Sequence, residues 1–527
     1  MTDRVLARGR LDLFTRLMVG VVLVVSPFAL VRGLYNTPDT SQFEFIQWSM
    51  GITALITCAL SLRRPIQRPS PGTLLVLGFG LWCILSTLWS TNVLHSLHEL
   101  CAFAAGITVY LLVVSNRCAP RTVVLAIIWW AVLTSAFNAM MADLQFIAGR
   151  GPLADTGLSA LVAKALGYAD ATKIGKLNIR ALFGHPNYLS GHLVSSFVLA
   201  IWLLRRRTGH RPAALLFMGL GIMTALMLWQ SRVEWRVQGI VWTSVATLLL
   251  GALICKVRWI QRLVLLATVV GILAAIIVCR SRSGWGSLMV LTLLGVIVAF
   301  RHRRLRSWHV ALLLLVGGSV IAGFISLRQR QQQSRSIEEV ATFSSITSRI
   351  YSYSTAVRLI ARRPIQGWGY GRFKIEYWPM VVEFQSTHED APLYDAYLRE
   401  ASGRTPLHIH NDYLEIAVET GLIGLALFLA LMTWTLVRLA EVVFATPSHE
   451  STWLHFAVSA ALLGLLCDMM LGYPLNLPLT MVLFWALLGA AHRLIDQTDS
   501  RLKMQASDES RPPADALEFT EAPAAAG

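Results

Sequence analysis

Apolar runs of about 20 residues recur along the whole 527-residue chain and constrain its fold more than any other feature. A helix of that length crosses a hydrocarbon layer roughly 30 Å thick. It also satisfies its own backbone hydrogen bonds where no water is available. Composition agrees, because 55% of the residues are hydrophobic and only 14% are charged. The sequence therefore predicts an all-α polytopic membrane protein.

Hydropathy predicts about 14 transmembrane helices. The predicted spans are 14–34, 43–62, 71–90, 97–115, 121–147, 184–204, 213–230, 238–255, 260–279, 283–300, 307–326, 416–440, 452–472 and 474–495. The chain then divides into N-terminal spans (1–147), a polar segment (148–183), central spans (184–326), a large loop between helices 11 and 12 (327–415), C-terminal spans (416–497) and a tail (498–527). The tail is rich in Ala, Pro and acidic residues, so we expect it to be disordered.

Basic residues indicate the orientation of these spans. Arg and Lys clusters precede the first span and follow the second, fourth, sixth, eighth and tenth, which accounts for much of the formal charge of +16. The positive-inside rule then places both termini in the cytoplasm and the two long polar segments in the periplasm of a bacterial inner membrane. No basic face interleaved with aromatic residues is present, so nucleic acid is not expected as a partner.

Arginines also occur on the predicted periplasmic side, against the usual bias. They are Arg180 before the sixth span, Arg232 after the seventh, Arg282 after the ninth and Arg349 in the large loop. An arginine at a helix end often only reaches lipid headgroups. Guanidinium groups also match phosphate oxygens in bidentate fashion. We therefore interpret Arg180, Arg282 and Arg349 as candidates for binding a lipid diphosphate, whose tail lies in the bilayer.

Arg349 is predicted to open a short helix. Ser345 or Thr347 could cap it, and an apolar stripe runs along it, so that it would lie along the membrane surface. The stripe consists of Ile346, Ile350, Val357 and Ile360.

The segment HIHNDYLE, residues 408–415, contains the best acid–base candidates. His410 is preferred because the ordinary pKa of an imidazole is close to neutral; a structural or solvated histidine is the alternative. Asp412 is a reserve candidate for the base. Glu415 and Glu419 fall in the opening turns of the twelfth span, where carboxylates suit the helix dipole.

Neither a metal nor another cofactor is predicted. His408 and His410 could share a face with Asp412, Glu415 and the acidic triplet 388–390, but the spacing matches no zinc motif. The seven cysteines contain no CxxC pair, so no thiolate site is expected. The GWGYG segment, 367–371, is predicted to be a tight turn rather than a phosphate-binding loop.

The histidine segment also carries a resemblance to a known family. His410-Asn411, followed after nine residues by Gly421-Leu-Ile-Gly424, resembles the signature of the O-antigen ligase and polymerase superfamily. Three other segments are similar to family motifs, although a glycine is shifted by one in the first: Arg180 to Asn187, Ser281 to Trp285, and Ser348-Arg349 with RRPIQGWGYGRF. Together they cover about residues 180–440.

The resemblance implies a periplasmic glycosyltransferase that is independent of metal. It would move a glycan from an undecaprenyl-diphosphate donor to an acceptor hydroxyl with inversion, with O-antigen joined to lipid A-core as the leading reaction. His410 would be the general base, and Arg282 and Arg349 would bind the diphosphate with Arg180 as a third group. Arg232, Asp412, Asn411 and His408 are held in reserve. The 14 predicted spans exceed the dozen or so that are common in the family.

Two alternative functions stay open at the level of sequence. A polymerase of the same fold would extend the glycan on its own lipid carrier, and the sequence does not separate it from a ligase. A transporter or flippase would carry ionisable groups at mid-membrane, for which Asp143 and Asp468 are the candidates.

Overall fold

The computed structural model describes residues 69–116, 118–150, 186–206, 258–301, 318, 345–387, 408–445 and 450–509. Those ranges hold eleven α-helices and no strand. The helices are α1 (Pro71–Ser86), α2 (Val93–Val114), α3 (Pro120–Arg150), α4 (Pro186–Arg205), α5 (Arg258–Cys279), α6 (Arg282–Arg301), α7 (Ser345–Arg362), α8 (Phe373–Thr387), α9 (Asp412–Ala445), α10 (Glu450–Asp468) and α11 (Pro478–Glu509).

The helical membrane architecture agrees with the hydropathy. Eight of the described helices, α1 to α6, α9 and α11, are long and apolar enough to cross a membrane, and the apolar part of α10, Thr452–Asp468, is shorter. Every predicted span within the described ranges is therefore a helix. The predicted spans 14–34, 43–62, 213–230 and 238–255, and nearly all of 307–326, lie outside the described residues. The protein is a multi-pass helical membrane protein.

The helices pack around two central elements. Helix α4 contacts α3, α5, α6 and α10, and α11 contacts α2, α3, α9 and α10. The apolar length of α11 is entirely buried. Small residues allow this close approach: Gly106 of α2 lies against Trp485 of α11, where a Cβ would overlap the indole. Such small-residue contacts are the usual means of packing helices inside a membrane.

The boundary of the C-terminal tail differs from the prediction. The tail was expected to be disordered from residue 498, whereas α11 continues to Glu509. Arg438 of α9 forms an ion pair with Asp499 at 2.5 Å. Because that pair and a run of good helix formers follow the apolar part, the helix extends beyond it. Residues 510–527 lie outside the described residues.

The large loop contains a helical hairpin made by α7 and α8. Helix α7 begins at Ser345, so Arg349 lies in its second turn rather than at its start. Of the predicted apolar stripe, Ile350 and Val357 are exposed and Ile360 is partly buried, and the fully buried residues lie on the other side of the helix. These are Tyr351, Ser352, Thr355, Ala356 and Leu359.

The GWGYG segment is a turn, as predicted, and it docks into a kink in α9. Gly367, Gly369 and Gly371 all have positive φ, as does Gly421 in α9, with φ 70°. The kink at Gly421 frees the carbonyl groups of residues 418–420 from the helix. They accept hydrogen bonds from Trp368 N at 2.9 Å, Gly369 N at 2.9 Å and Trp82 Nε1 at 2.8 Å, respectively. Gly421, the first residue of the Gly421-Leu-Ile-Gly424 element, thus shapes the helix that receives the hairpin.

Substituting Gly421 tests this docking. In Gly421→Ala, the Cβ would overlap the Ile365 carbonyl. The backbone at φ 70°, ψ −178° is also a conformation essentially restricted to glycine, which costs another residue roughly 1–3 kcal/mol. We expect a clear fall in the melting temperature of the detergent-solubilised protein. Gly78→Ala on α1 is the matched control, because nothing lies within 4 Å of its added Cβ and alanine favours helix. Equal melting temperatures for the two variants would contradict the role of Gly421 in docking the turn.

Candidate functional site

The polar residues singled out by the sequence gather at one end of the bundle, here called the site face. It is the end where α4, α6 and α9 begin and where α10 ends. The start of α6 meets the start of α4 at Gly284, against Ser190, and the start of α9 meets the end of α10 through a hydrogen bond from Asp412 N to Met469 O of 3.0 Å. The α7–α8 hairpin packs on α9 at the same end.

The Ser-Arg motif forms the start of α6. Ser281 Oγ accepts a hydrogen bond from Gly284 N at 3.3 Å and lies 3.0 Å from Ser283 Oγ. Arg282 is the first residue of the helix, and its side chain is exposed. A helix start also offers free backbone N–H groups and a partial positive charge, which favour anions. The motif is therefore suited to an anionic headgroup.

A buried carboxylate lies directly beside this motif. Asp468 ends α10, packs against Gly191 of α4, and accepts a hydrogen bond from Ser283. It also interacts electrostatically with Arg349 of α7. Its Oδ1 atom has no hydrogen-bond partner among the described residues. Asp468 is therefore hydrogen-bonded to the Ser-Arg helix and within electrostatic range of the Arg349 helix. It lies at a helix end rather than at the mid-membrane depth considered for a transporter.

Helix α7 connects Arg349 to the histidine segment. Tyr353 lies one turn after Arg349, and its hydroxyl donates to His410 O at 3.0 Å and to Met470 O at 3.4 Å. Burial raises the pKa of Tyr353, an effect that the charge of Arg349 opposes. The hydroxyl stays protonated and remains a donor. One helix thus carries the guanidinium and holds the backbone of the candidate base.

His410 itself is held in an uncommon backbone conformation. Its φ is 60°, in the left-handed region where histidine is enriched among non-glycine residues. Its ring, partly exposed, packs edge-on against Tyr473 with 5.0 Å between centroids, and Tyr473 also contacts Tyr188 at 4.8 Å. The imidazole therefore lies where the start of α4, the α10–α11 connection and the start of α9 meet.

The next two residues fix the start of α9. Asn411 Oδ1 accepts a hydrogen bond from the backbone N–H three residues on, at 3.1 Å, and its amide donates to Met470 O at 3.2 Å. Asp412 is only 1% exposed. Its two carboxylate oxygens accept from Leu475 N at 3.1 Å and Asn476 Nδ2 at 3.3 Å. An acceptor hydroxyl would have to displace that connection to reach Asp412.

His408 is paired with a carboxylate. Its Nδ1 lies 2.7 Å from Glu415 Oε1, and Glu415 Oε2 accepts from Ile409 N at 3.0 Å. The His408 ring also stacks on Tyr473, with centroids 4.4 Å apart. Glu415 thus lies in the first turn of α9, as predicted, and in addition orients an imidazole. Within the described part of the chain, no three His, Cys, Asp or Glu side chains are grouped to hold a metal ion.

The structure brings part of the predicted set together. Arg349 and His410 are connected through Tyr353, and Arg282 is next to Ser283, which binds Asp468. Arg180 and Arg232 lie outside the described residues. Sequence reasoning gave Asp468 no role in this site, although a carboxylate at the end of an apolar run was a signal. Tyr353 and Tyr473 carried no comparable signal.

Fold and site together define a polytopic helical membrane protein with cationic groups and an imidazole at one face. Residues 266–429 match the family described as O-Antigen ligase. A Rickettsia prowazekii (strain Madrid E) protein named "Putative polysaccharide ligase RP358" is 32% identical over 115 residues, which is 22% of this chain and 25% of that protein. The chain thus aligns with about a quarter of that relative. The predicted resemblance is confirmed over residues 266–429, which match the O-antigen ligase family.

Proposed function

We propose that the protein transfers a glycan from an undecaprenyl-diphosphate donor to an acceptor hydroxyl, with lipid A-core as the acceptor. The observation that carries the proposal is the junction of Arg349, Asp468 and His410 at the site face, through Tyr353 and the end of α10. The positive-inside pattern supports a periplasmic site face in the bacterial inner membrane. The donor tail would stay in the bilayer while its headgroup meets this face.

The transfer reaction has two main requirements, which are stabilisation of the leaving diphosphate and deprotonation of the acceptor hydroxyl. Arg282 and Arg349, with Arg180 as a third group, bind the diphosphate and stabilise the charge that develops as it leaves. His410 takes the proton from the acceptor hydroxyl, whose oxygen attacks the anomeric carbon from the side opposite the diphosphate and inverts it. Confining donor and acceptor to the membrane plane supplies proximity. These steps need neither a metal nor a nucleotide.

Asp468 has a positioning role in this scheme. It accepts a hydrogen bond from Ser283 and interacts with Arg349, so it keeps the two arginine-bearing helix segments in register. We expect Asp468→Asn to lower transfer about 10- to 100-fold, because hydrogen bonds to a charged group contribute roughly 1.5–3 kcal/mol. Initial rates at saturating acceptor measure the effect. Asp499→Asn, which removes a carboxylate at the opposite end of the bundle, should retain the wild-type rate, and equal losses in both variants would contradict the role.

Reconstitution separates the ligase from the polymerase. Purified protein in vesicles is given a lipid-linked glycan with and without lipid A-core. A ligase attaches glycan to the core only when the core is present. Lengthened lipid-linked chains without core would instead identify a polymerase, and absence of any transfer with either acceptor would overturn the proposal.

A further inference from the structure

A second polar cluster lies beside the histidine segment, away from the arginines, and is here called the Glu99 cluster. It consists of His95, Glu99, Lys374 and His408. Lys374 Nζ lies 2.6 Å from Glu99 Oε1, and His95 Nε2 lies 3.9 Å from the same oxygen. Glu99 also interacts electrostatically with His408. The cluster thus joins the start of α2, the start of α8 and the segment before α9.

These side chains are partly exposed. Their relative exposures are 24% for His95, 18% for Glu99, 26% for Lys374 and 20% for His408. Glu415, only 7% exposed, lies behind and binds His408 Nδ1. With Nδ1 donating to Glu415, Nε2 of the neutral imidazole is an acceptor. The cluster therefore offers a carboxylate paired with an ammonium, and an oriented imidazole that interacts electrostatically with that carboxylate.

The charges decide which kind of ligand fits. Lys374 is paired with Glu99, and His408 is paired with Glu415, so these pairs leave no surplus of positive charge for a phosphate. Carboxylate and imidazole acceptors next to an ammonium donor instead match the hydroxyl groups of a neutral sugar ring. This contrasts with the start of α6, where the exposed Arg282 and the free backbone N–H groups of the helix suit an anion. The two halves of the site face thus favour ligands of different charge.

The Glu99 cluster is also connected to the candidate base. Tyr473 contacts both imidazoles, with centroid distances of 4.4 Å to His408 and 5.0 Å to His410. A sugar held at His408 would therefore lie beside His410. Arg349 reaches His410 by a different route, through Tyr353.

We propose that the Glu99 cluster is the subsite for the acceptor sugar, with His408 and Glu99 hydrogen-bonded to its hydroxyl groups. The proposal rests on the proposed glycan transfer and assigns one half of the site to the acceptor. Glu415 is a positioning residue in it, because it acts through His408.

Kinetics on the full-length protein in vesicles test the assignment. Glu99→Gln and His408→Asn are compared with wild type while lipid A-core, or the lipid-linked glycan if that is the acceptor, is titrated. We expect the acceptor KM to rise about 10-fold or more while the donor KM is unchanged. Glu383→Gln is the matched control, because it removes an exposed ion pair with Arg362 on the same hairpin and should leave both constants unchanged.

Binding without turnover makes the test independent of the proposed function. Delipidated core oligosaccharide and delipidated glycan are titrated against wild type, Glu99→Gln and Lys374→Met, after melting temperatures show that the variants are folded. Weaker binding of the acceptor oligosaccharide by both variants supports the subsite, even if the wild-type protein performs no transfer. An unchanged acceptor KM in the variants, a raised donor KM instead, or no difference in sugar binding would overturn it.

Discussion

His410→Asn is expected to reduce glycan transfer about 10²- to 10⁴-fold, the usual loss when a general base is removed. Asparagine tolerates the left-handed backbone that His410 adopts, with φ 60°. It retains a polar side chain but does not take up a proton near neutral pH. The loss therefore reports the chemistry of the imidazole rather than a rearranged loop. Initial rates with reconstituted donor and acceptor give the measurement.

His410→Ala provides the comparison, because it adds a backbone cost. Alanine at the same φ is disfavoured by roughly 1–2 kcal/mol, so its melting temperature should fall below that of the Asn variant. Both variants should nevertheless lose transfer to a similar extent. If the transfer rate of the Asn variant lay within tenfold of the wild-type rate, His410 would be excluded as the base. Asp412 and His408 would then be the remaining candidates. A transporter would retain its flux in both variants.

Arg349→Ala should be the other large loss, about 10²- to 10³-fold in transfer rate, as for removal of a donor that stabilises developing charge. Arg349 interacts electrostatically with both Asp468 and Tyr353, so its charge is felt both at the carboxylate that binds Ser283 and at the hydroxyl that binds the His410 backbone. Arg349→Lys should recover only part of the activity, because lysine keeps the charge but not the planar fork of donors.

Arg358→Ala is the control on the same helix. The Arg358 guanidinium lies 3.0 Å from the centroid of the Phe384 ring, within the hairpin. Its removal should change the melting temperature slightly and leave transfer near the wild-type rate. If both variants lost transfer equally, the effect would belong to the hairpin as a whole, and the role of Arg349 would be withdrawn.

The sequence anticipated the helices better than their ends. Hydropathy identifies a span by the number of apolar residues, but it does not register hydrogen bonds made outside the membrane. For that reason α9 begins at Asp412 rather than at residue 416, with Asn411 as its cap, and α11 runs to Glu509 rather than stopping near 497. The apolar stripe on α7 was visible in sequence, whereas the face that is buried in the protein was not, because α8 and α9 decide which side is covered.

The sequence by itself determined the class of this protein, a multi-pass helical membrane protein, and its resemblance to the O-antigen ligase family over residues 266–429, because length, apolarity and a short motif are properties of contiguous residues. It also selected His410, Arg282 and Arg349 as candidates. Only the tertiary structure decided that Tyr353 connects Arg349 to His410, that Asp468 lies between two arginine-bearing helices, and that Glu99 lies near His408. These contacts join residues far apart along the chain, and they depend on how the ends of separate helices meet at one face.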